Sequence, residues 1–229
     1  MTKRDRVQAV LKARKPDYSP VSFWHHFPPE QATGQAAVEA HVEHLEKFDL
    51  DFLKVMNDHE YPRGSIGVVQ SVADLRKIKA VSGDEGELAG QLEVLRQLRK
   101  RLGNDILTTT TVFNAWAVLR KLVAPLDRRH GPPKLKDAED ARDQAITRLL
   151  KEDRSAVKAA LEAIGASLAA FAGACLTAGA AGVFLSVRRE WVNTPENGEG
   201  SYDEMVRSTD LQILTAAASA PFNLLHVCG

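Results

Sequence analysis

The sequence is poor in cysteine and has no excess of charge of either sign. Its 229 residues include 2 cysteines, and 30 basic residues balance 30 acidic ones. Two cysteines cannot build a disulfide framework, which excludes the small disulfide-stabilised secreted domains. Balanced charge without a basic block argues against nucleic acid or an anionic membrane surface as the main partner. Because the first residues also lack the charged-then-apolar layout of a signal peptide, we expect a cytoplasmic protein with reduced thiols.

A continuous apolar run of the kind that spans a membrane is also lacking, although one stretch has no charge. No charged residue occurs between Glu162 and Arg188. That stretch is mostly alanine, glycine, serine and threonine, and its apolar spacing changes from helical to continuous near residues 179–182. We therefore predict a helix that ends there, a turn and a buried strand, with no membrane segment. The helical spacing also places Cys175 on a buried stripe.

Apolar residues are numerous enough for one substantial core. They make up 44% of the chain, and we interpret residues 1–229 as a single domain. Short apolar strands are predicted to alternate with helices along the chain. The predicted strands cover residues 20–24, 51–58, 105–112, 181–187 and 223–228. Residues 125–140 are predicted to form a mobile loop, and Ser201 is predicted to cap a helix that runs towards residue 220.

Alternation of strands and helices predicts an α/β fold with a parallel sheet, either closed as a (β/α)8 barrel or open and doubly wound. A dinucleotide-binding sheet needs glycines after its first strand, whereas this chain has Trp24, His25, His26 and Phe27 there. This difference favours the barrel. Five strands do not close a barrel of eight, so we expect an incomplete (β/α)8 TIM barrel with about five βα units.

Polar side chains follow the predicted strands, at the end where such barrels keep their active sites. Among them His226 and Cys228 lie two residues apart, so both side chains leave the same face of the last strand. A histidine and a cysteine so placed could be half of a zinc site, or a buried cysteine beside a hydrogen-bonded histidine. Asp58 could lie in a substrate cleft or cap the turn that follows its strand. Of the adjacent His25 and His26, we expect one to face the cleft.

These motifs resemble the uroporphyrinogen decarboxylase superfamily, which includes the methylcobamide:thiol methyltransferases. The resemblance extends over essentially the whole chain. It rests on a Lys-Arg-x-Arg-Val helix at the N-terminus, Lys15-Pro16-Asp17 before Pro20-Val21, a strand from Leu50-Asp51-Phe52 to Asp58, and Leu225-His226-Val227-Cys228-Gly229. It implies a (β/α)8 barrel with a deep central cleft, of which the C-terminal part is missing from this chain.

The decarboxylase branch of the family implies metal-free chemistry, with Asp58 as the residue that meets the substrate's pyrrole nitrogens. Ser186 lies near a hydroxyl that this branch uses. The branch also has a loop after the first strand whose arginines bind the substrate's carboxylates, and this chain has His25 and His26 there. Histidines carry charge only near or below their pKa and lack the guanidinium fork, so this departure argues against binding of an octa-acid.

The methyltransferase branch implies a zinc ion held by a His-x-Cys-Gly motif and a later cysteine. His226 and Cys228 match that motif, and the third ligand would lie beyond Gly229. Zinc lowers the pKa of a bound thiol, so that a thiolate exists at neutral pH and can accept a methyl group from a methylated corrinoid.

Our leading hypothesis is zinc-dependent methyl transfer from a methylated corrinoid to a thiol. Its partners would be a small-molecule or corrinoid-linked substrate and a corrinoid protein, and a homodimer is compatible with it. Uroporphyrinogen decarboxylation in porphyrin biosynthesis is the first alternative. The second is an inactive fragment or a corrinoid- or partner-binding module. The candidate substrate-binding residues are His25, His26 and Ser186, and Asp58 is the candidate catalytic residue.

Overall fold

A parallel sheet of four strands forms the centre of the described structure. The computed structural model describes residues 1–64, 66–123 and 132–227, and of residues 132–138 the backbone only. The strands are β1 (Phe52–Val55), β2 (Leu107–Phe113), β3 (Gly182–Val187) and β4 (Leu224–Val227). They lie in sequential order, and each neighbouring pair is parallel. A doubly wound sheet reverses its strand order at a switch point, and this sheet shows no such reversal.

Helices connect the strands, as the predicted alternation requires. Their bounds are α1 (Lys3–Leu11), α2 (Gly34–Lys47), α3 (Val72–Leu75), α4 (Leu88–Leu102), α5 (Ala115–Val123), α6 (Pro132–Glu152), α7 (Arg154–Thr177), α8 (Ser201–Met205) and α9 (Arg207–Ala216). The predicted α/β class with a parallel sheet is confirmed. Four strands form no closed barrel, so closure into a (β/α)8 barrel stays a prediction.

The two faces of the sheet have different surroundings because side chains alternate along each strand. On one face Leu53, Val55, Val183 and Leu185 join the main hydrophobic core with the helices. The opposite face carries polar and aromatic side chains at its middle and carboxyl end. We call this second face the site face and define it by Lys54, Thr109, Phe184, Ser186 and His226.

The N-terminal segment is tied to the start of β1 by a network of charges. Arg6 of α1 pairs with Asp17 at 2.7 Å and also with Asp51, which precedes β1 and is buried. The ring of Tyr18 stacks on the Arg6 guanidinium at 3.6 Å. These residues belong to three of the motifs on which the family resemblance rests. The network gives those motifs a structural role, because it holds α1 against the sheet.

Residues 20–24 do not form the predicted first strand, so the structure has four of the five predicted strands. The backbone of Val21 pairs with Asp51 instead, since the Val21 carbonyl accepts from the Asp51 amide at 2.9 Å and the Val21 amide donates to the Asp51 carboxylate at 2.8 Å. Val21, Phe23 and Trp24 are exposed by 41%, 56% and 41%. Residues 20–24 thus have the apolar composition of a buried strand, but they form an exposed segment on the surface of the described fold.

Other predicted boundaries also differ from the structure. The strand predicted over residues 51–58 is the shorter β1. The predicted loop over residues 125–140 is helical from Pro132, where α6 begins, while residues 125–131 lie outside the described residues. The predicted helix from Ser201 to residue 220 is broken at Val206 into α8 and α9. Ser201 is the first residue of α8, and its hydroxyl donates to the Asn197 carbonyl at 2.6 Å without capping the helix.

One described helix, α7, is long and apolar enough to cross a membrane by length and composition. Its residues Val157, Ile164, Phe171 and Cys175 are at most 1% exposed and belong to the main core. The helix ends at Thr177, the chain turns at Gly179 with φ of 106°, and β3 begins at Gly182. The predicted helix, turn and buried strand are therefore confirmed, and so is the prediction that Cys175 is a core residue.

Candidate functional site

The carboxyl end of the site face brings together residues from β3, β4 and the segment before α2. Ser186 and His226 are register partners on adjacent strands, so their side chains leave the same face side by side. Trp24 reaches across this face, with its ring centroid 5.1 Å from that of Phe184 and 6.4 Å from that of His226. The Phe184 and His226 rings lie 5.3 Å apart. Two aromatic rings thus form a wall beside the His226 imidazole.

His226 has a ring nitrogen without a hydrogen-bond partner. Its Nδ1 atom is buried, and nothing in the described part of the chain donates to it or accepts from it. A buried polar atom without a partner is costly in a folded protein, which marks it as a candidate ligand-binding atom. A ring nitrogen with an unused lone pair is what a metal-ligating histidine presents.

Asp58 and His26 form a pair beyond the end of β1. The His26 Nδ1 atom lies 2.7 Å from the Asp58 carboxylate, with the two side chains exposed by 43% and 16%. A carboxylate that accepts from Nδ1 leaves Nε2 of the same ring as a proton acceptor. The pair can therefore take up a proton from a bound molecule. The structure brings these two predicted site residues together.

His25 lies apart from that pair, in an aromatic cluster against α2. Its ring lies 4.7 Å from Phe27 and 4.9 Å from His44, measured between centroids. Burial lowers the pKa of His25, and the nearby His44 lowers it further. Of the two adjacent histidines, only His26 contacts a predicted site residue. His25 packs the segment that carries Trp24 and His26.

Lys54 is a buried cation at the centre of the site face. Lys54 is only 4% exposed. Its ammonium lies 4.7 Å from the centre of the Phe184 ring and 5.2 Å from that of the Trp24 ring. Burial lowers the pKa of Lys54 from 10.5 to about 8, and the charge of Asp58 opposes that fall. The ammonium is thus still charged at neutral pH. Sequence reasoning missed this residue, although a lysine inside an apolar strand was a usable signal.

A second buried polar cluster was also missed, near the carboxyl end of β2. The Tyr202 hydroxyl donates to the Asp210 carboxylate at 2.8 Å, and the Asn114 amide approaches the same oxygen at 3.5 Å. The other Asp210 oxygen is buried and lacks a partner among the described residues. Burial raises the pKa of Asp210 from 3.8 to about 6. No sequence pattern indicated this cluster, because its members come from distant parts of the chain.

The residues present fit one ligand of the predicted zinc site. The described residues contain no group of three or more histidine, cysteine, aspartate or glutamate side chains that could hold a metal ion. Cys228, the second predicted ligand, lies outside the described residues. His226 fits the role through its unpartnered Nδ1 atom. Zinc binding therefore stays a prediction. Of its two predicted ligands, only His226 is among the described residues.

Comparison with known proteins shows a likeness in structure. No protein-family model matches the sequence, and no curated protein matches it either. A solved methyltransferase from Methanosarcina mazei matches with a TM-score of 0.69. The match covers 100% of this chain and 70% of that chain, at 15% sequence identity. At this identity the likeness shows the fold, and it agrees with the α/β architecture described above.

Proposed function

We propose that this protein belongs to the methyltransferases with a uroporphyrinogen decarboxylase-like fold, and that it transfers a methyl group from a methylated corrinoid to a thiol with the help of zinc. The observation that carries the proposal is the His226 ring at the carboxyl end of a parallel strand, whose buried Nδ1 atom lacks a partner among the described residues. The likeness to a methyltransferase from Methanosarcina mazei supports the reaction class. The sequential strand order supports an arc of a (β/α)8 barrel.

His226 and Cys228 would hold the metal, because residues two apart on a strand project from the same face. Zinc, when bound, lowers the pKa of a thiol ligand, so the thiolate is available at neutral pH. His26, oriented by Asp58, accepts the thiol proton. A methylated corrinoid, when bound, would supply the methyl group to the thiolate sulfur and would keep the electron pair of its cobalt–carbon bond. Trp24 and Phe184 offer a flat apolar surface to the corrinoid or to the thiol's carbon chain.

Uroporphyrinogen decarboxylation is less compatible with the same geometry. That reaction would need positive charges to hold the substrate's carboxylates, and His25 and His26 stand where the family has arginines. His25 is packed against Phe27 and His44, and burial lowers its pKa, which disfavours the charged form of its ring. Asp58 is already paired with His26. A histidine whose charged form is disfavoured and an occupied carboxylate make a poor site for a polycarboxylate.

Zinc content is the test of this proposal. The purified protein, including the third ligand that the resemblance places beyond Gly229, is loaded with zinc in the presence of a small thiol and freed of excess metal. It is expected to retain about one zinc ion by metal mass spectrometry. His226→Ala and Cys228→Ala are each expected to lower the content to background. His25→Ala and Cys175→Ala are the matched controls and should retain the metal, because neither side chain lies on the site face.

Methylation of the thiol by methylcobalamin is then measured for the same set of variants. It should follow zinc content across all five proteins. A folded wild-type chain that binds no zinc would contradict the proposal. Corrinoid binding without zinc or methyl transfer would favour the binding-module hypothesis instead.

A further inference from the structure

Lys54 has no acceptor of matching strength in the described structure. Its ammonium donates to the Met56 sulfur at 2.8 Å, and a thioether is a weak acceptor. No carboxylate of the described residues forms an ion pair with it, and Asp58 acts on it only through its charge. The rings of Trp24 and Phe184 attract the cation but accept no strong hydrogen bond. A buried charge in this state is costly unless an anion joins it.

Thr109 places an unpaired hydroxyl next to this cation. Lys54 and Thr109 are register partners on β1 and β2, so both side chains leave the site face. Thr109 is fully buried, and its Oγ1 atom has no hydrogen-bond partner in the described part of the molecule. Its neighbour Thr110 points to the opposite face, where its hydroxyl accepts from Gln91. The site face thus holds, side by side, an ammonium whose acceptor among the described residues is a weak one and a hydroxyl without a partner among them.

We propose that the site face binds the carboxylate group of a small organic molecule between Lys54 and Thr109, with Trp24 and Phe184 as apolar walls. One carboxylate oxygen accepts from the ammonium and the other from the hydroxyl. A carboxylate carries one negative charge, which matches the single cation, whereas the second charge of a phosphate dianion would stay unbalanced and would add to the repulsion from Asp58. The two rings suit an apolar or aromatic group attached to the carboxylate.

Trp24 is the side chain that controls entry to this site. It is 41% exposed and lies in a segment without regular secondary structure, whereas Thr109 and Phe184 are on strands. Rotation of Trp24 away from Phe184 would open the face without breaking the sheet. Binding should therefore alter the fluorescence of Trp24. The site needs neither a metal nor Cys228, so its test is independent of the methyl-transfer proposal.

Benzoate and its neutral isostere benzamide are the probes, used at constant ionic strength with metal-free protein. Benzoate at about ten times its dissociation constant is expected to raise the unfolding midpoint by about 3–6 °C, and benzamide should not. Calorimetry should show affinity for benzoate lowered about tenfold or more in Lys54→Met, which loses a charge-assisted bond. Thr109→Val, of similar shape, should weaken binding by about two- to tenfold.

Lys100→Met, at an exposed position on α4, is the matched control and should bind benzoate as the wild type does. Equal stabilisation by benzoate and benzamide would overturn the proposal, because it would assign binding to apolar contact alone. Equal benzoate affinity of the wild type and Lys54→Met would overturn it as well. If Lys54→Met does not fold, the Thr109→Val result decides, and unchanged affinity there counts against the site.

Discussion

Gly182→Ala is expected to lower the free energy of unfolding by about 3 kcal/mol or more, at the upper end of overpacking effects. Gly182 is the first residue of β3, and the backbone of Phe222 lies against the place where a Cβ atom of residue 182 would be. A methyl group at position 182 would lie 1.9 Å from the Phe222 carbonyl oxygen and 2.5 Å from its carbon. Backbone atoms cannot turn aside as a flexible side chain can. The start of β4 must therefore move away from β3.

The same substitution should disturb the candidate zinc site, although it lies at the other end of the strands. Phe222 leads into β4, and the Asn223 side chain accepts from the Val183 amide at 2.9 Å. Displacement of this segment would shift His226 from its place beside Ser186. Thermal unfolding should show a midpoint lower by about 6–12 °C, with reduced zinc retention.

Gly173→Ala is the control for this prediction. Gly173 lies inside α7, and a methyl group there would meet nothing within 4 Å. Alanine is the better helix former, so we expect stability to rise by about 0.5–1 kcal/mol. Equal effects of the two substitutions would show that the close approach of Phe222 to Gly182 has no energetic weight.

Asp210→Asn is expected to stabilise the protein at neutral pH by about 3 kcal/mol. Burial raises the pKa of Asp210 from 3.8 to about 6, so the folded state holds its proton more tightly than the unfolded state. The protonated Asp210 carboxyl therefore favours the folded state below pH 3.8, relative to the ionised carboxylate. This contribution to the free energy of unfolding is lost as the pH rises from 3.8 to about 6. Each pKa unit is worth about 1.4 kcal/mol. Asparagine resembles the protonated acid and can still accept from Tyr202.

Urea unfolding of the wild type and of Asp210→Asn between pH 4 and 8 is the measurement. The difference in stability should be small at the acid end, grow through the interval between the two pKa values, and level off above pH 6. Asp84→Asn, at an exposed position, is the matched control for the loss of one negative charge. A difference that stays constant with pH would mean that Asp210 is not the titrating group.

The elements with a strong periodic pattern were predictable from sequence. The leucine stripe of α4 and the apolar stripe of α7 mark faces that pack into the core, and both helices exist. Strand and helix alternation was enough to predict a parallel sheet. Thr2 caps α1 as its spacing to Asp5 indicates, with the amide of Asp5 donating to its hydroxyl at 3.1 Å.

The failures have local causes that composition does not reveal. Residues 20–24 have the apolar character of a strand, but the carboxylate of Asp51 takes the backbone hydrogen bond that a strand would give to a neighbour. At the candidate site, the spacing of His226 and Cys228 indicated a shared face, and Asp58 was expected at the end of its strand. The role of Lys54 depends on which residues lie across the sheet from it, namely Thr109 and Phe184, and that information comes from register.

Zinc-edge X-ray absorption of the zinc-loaded protein tests whether His226 and Cys228 bind zinc, because it identifies the atoms bound to the metal. We expect nitrogen from His226 at about 2.0–2.1 Å and sulfur from Cys228 at about 2.3 Å. Addition of a thiol should add one more sulfur, and Cys228→Ala should remove one. A shell of nitrogen and oxygen alone, unchanged by the thiol, would show that Cys228 and the thiol do not bind the metal, against the proposed function.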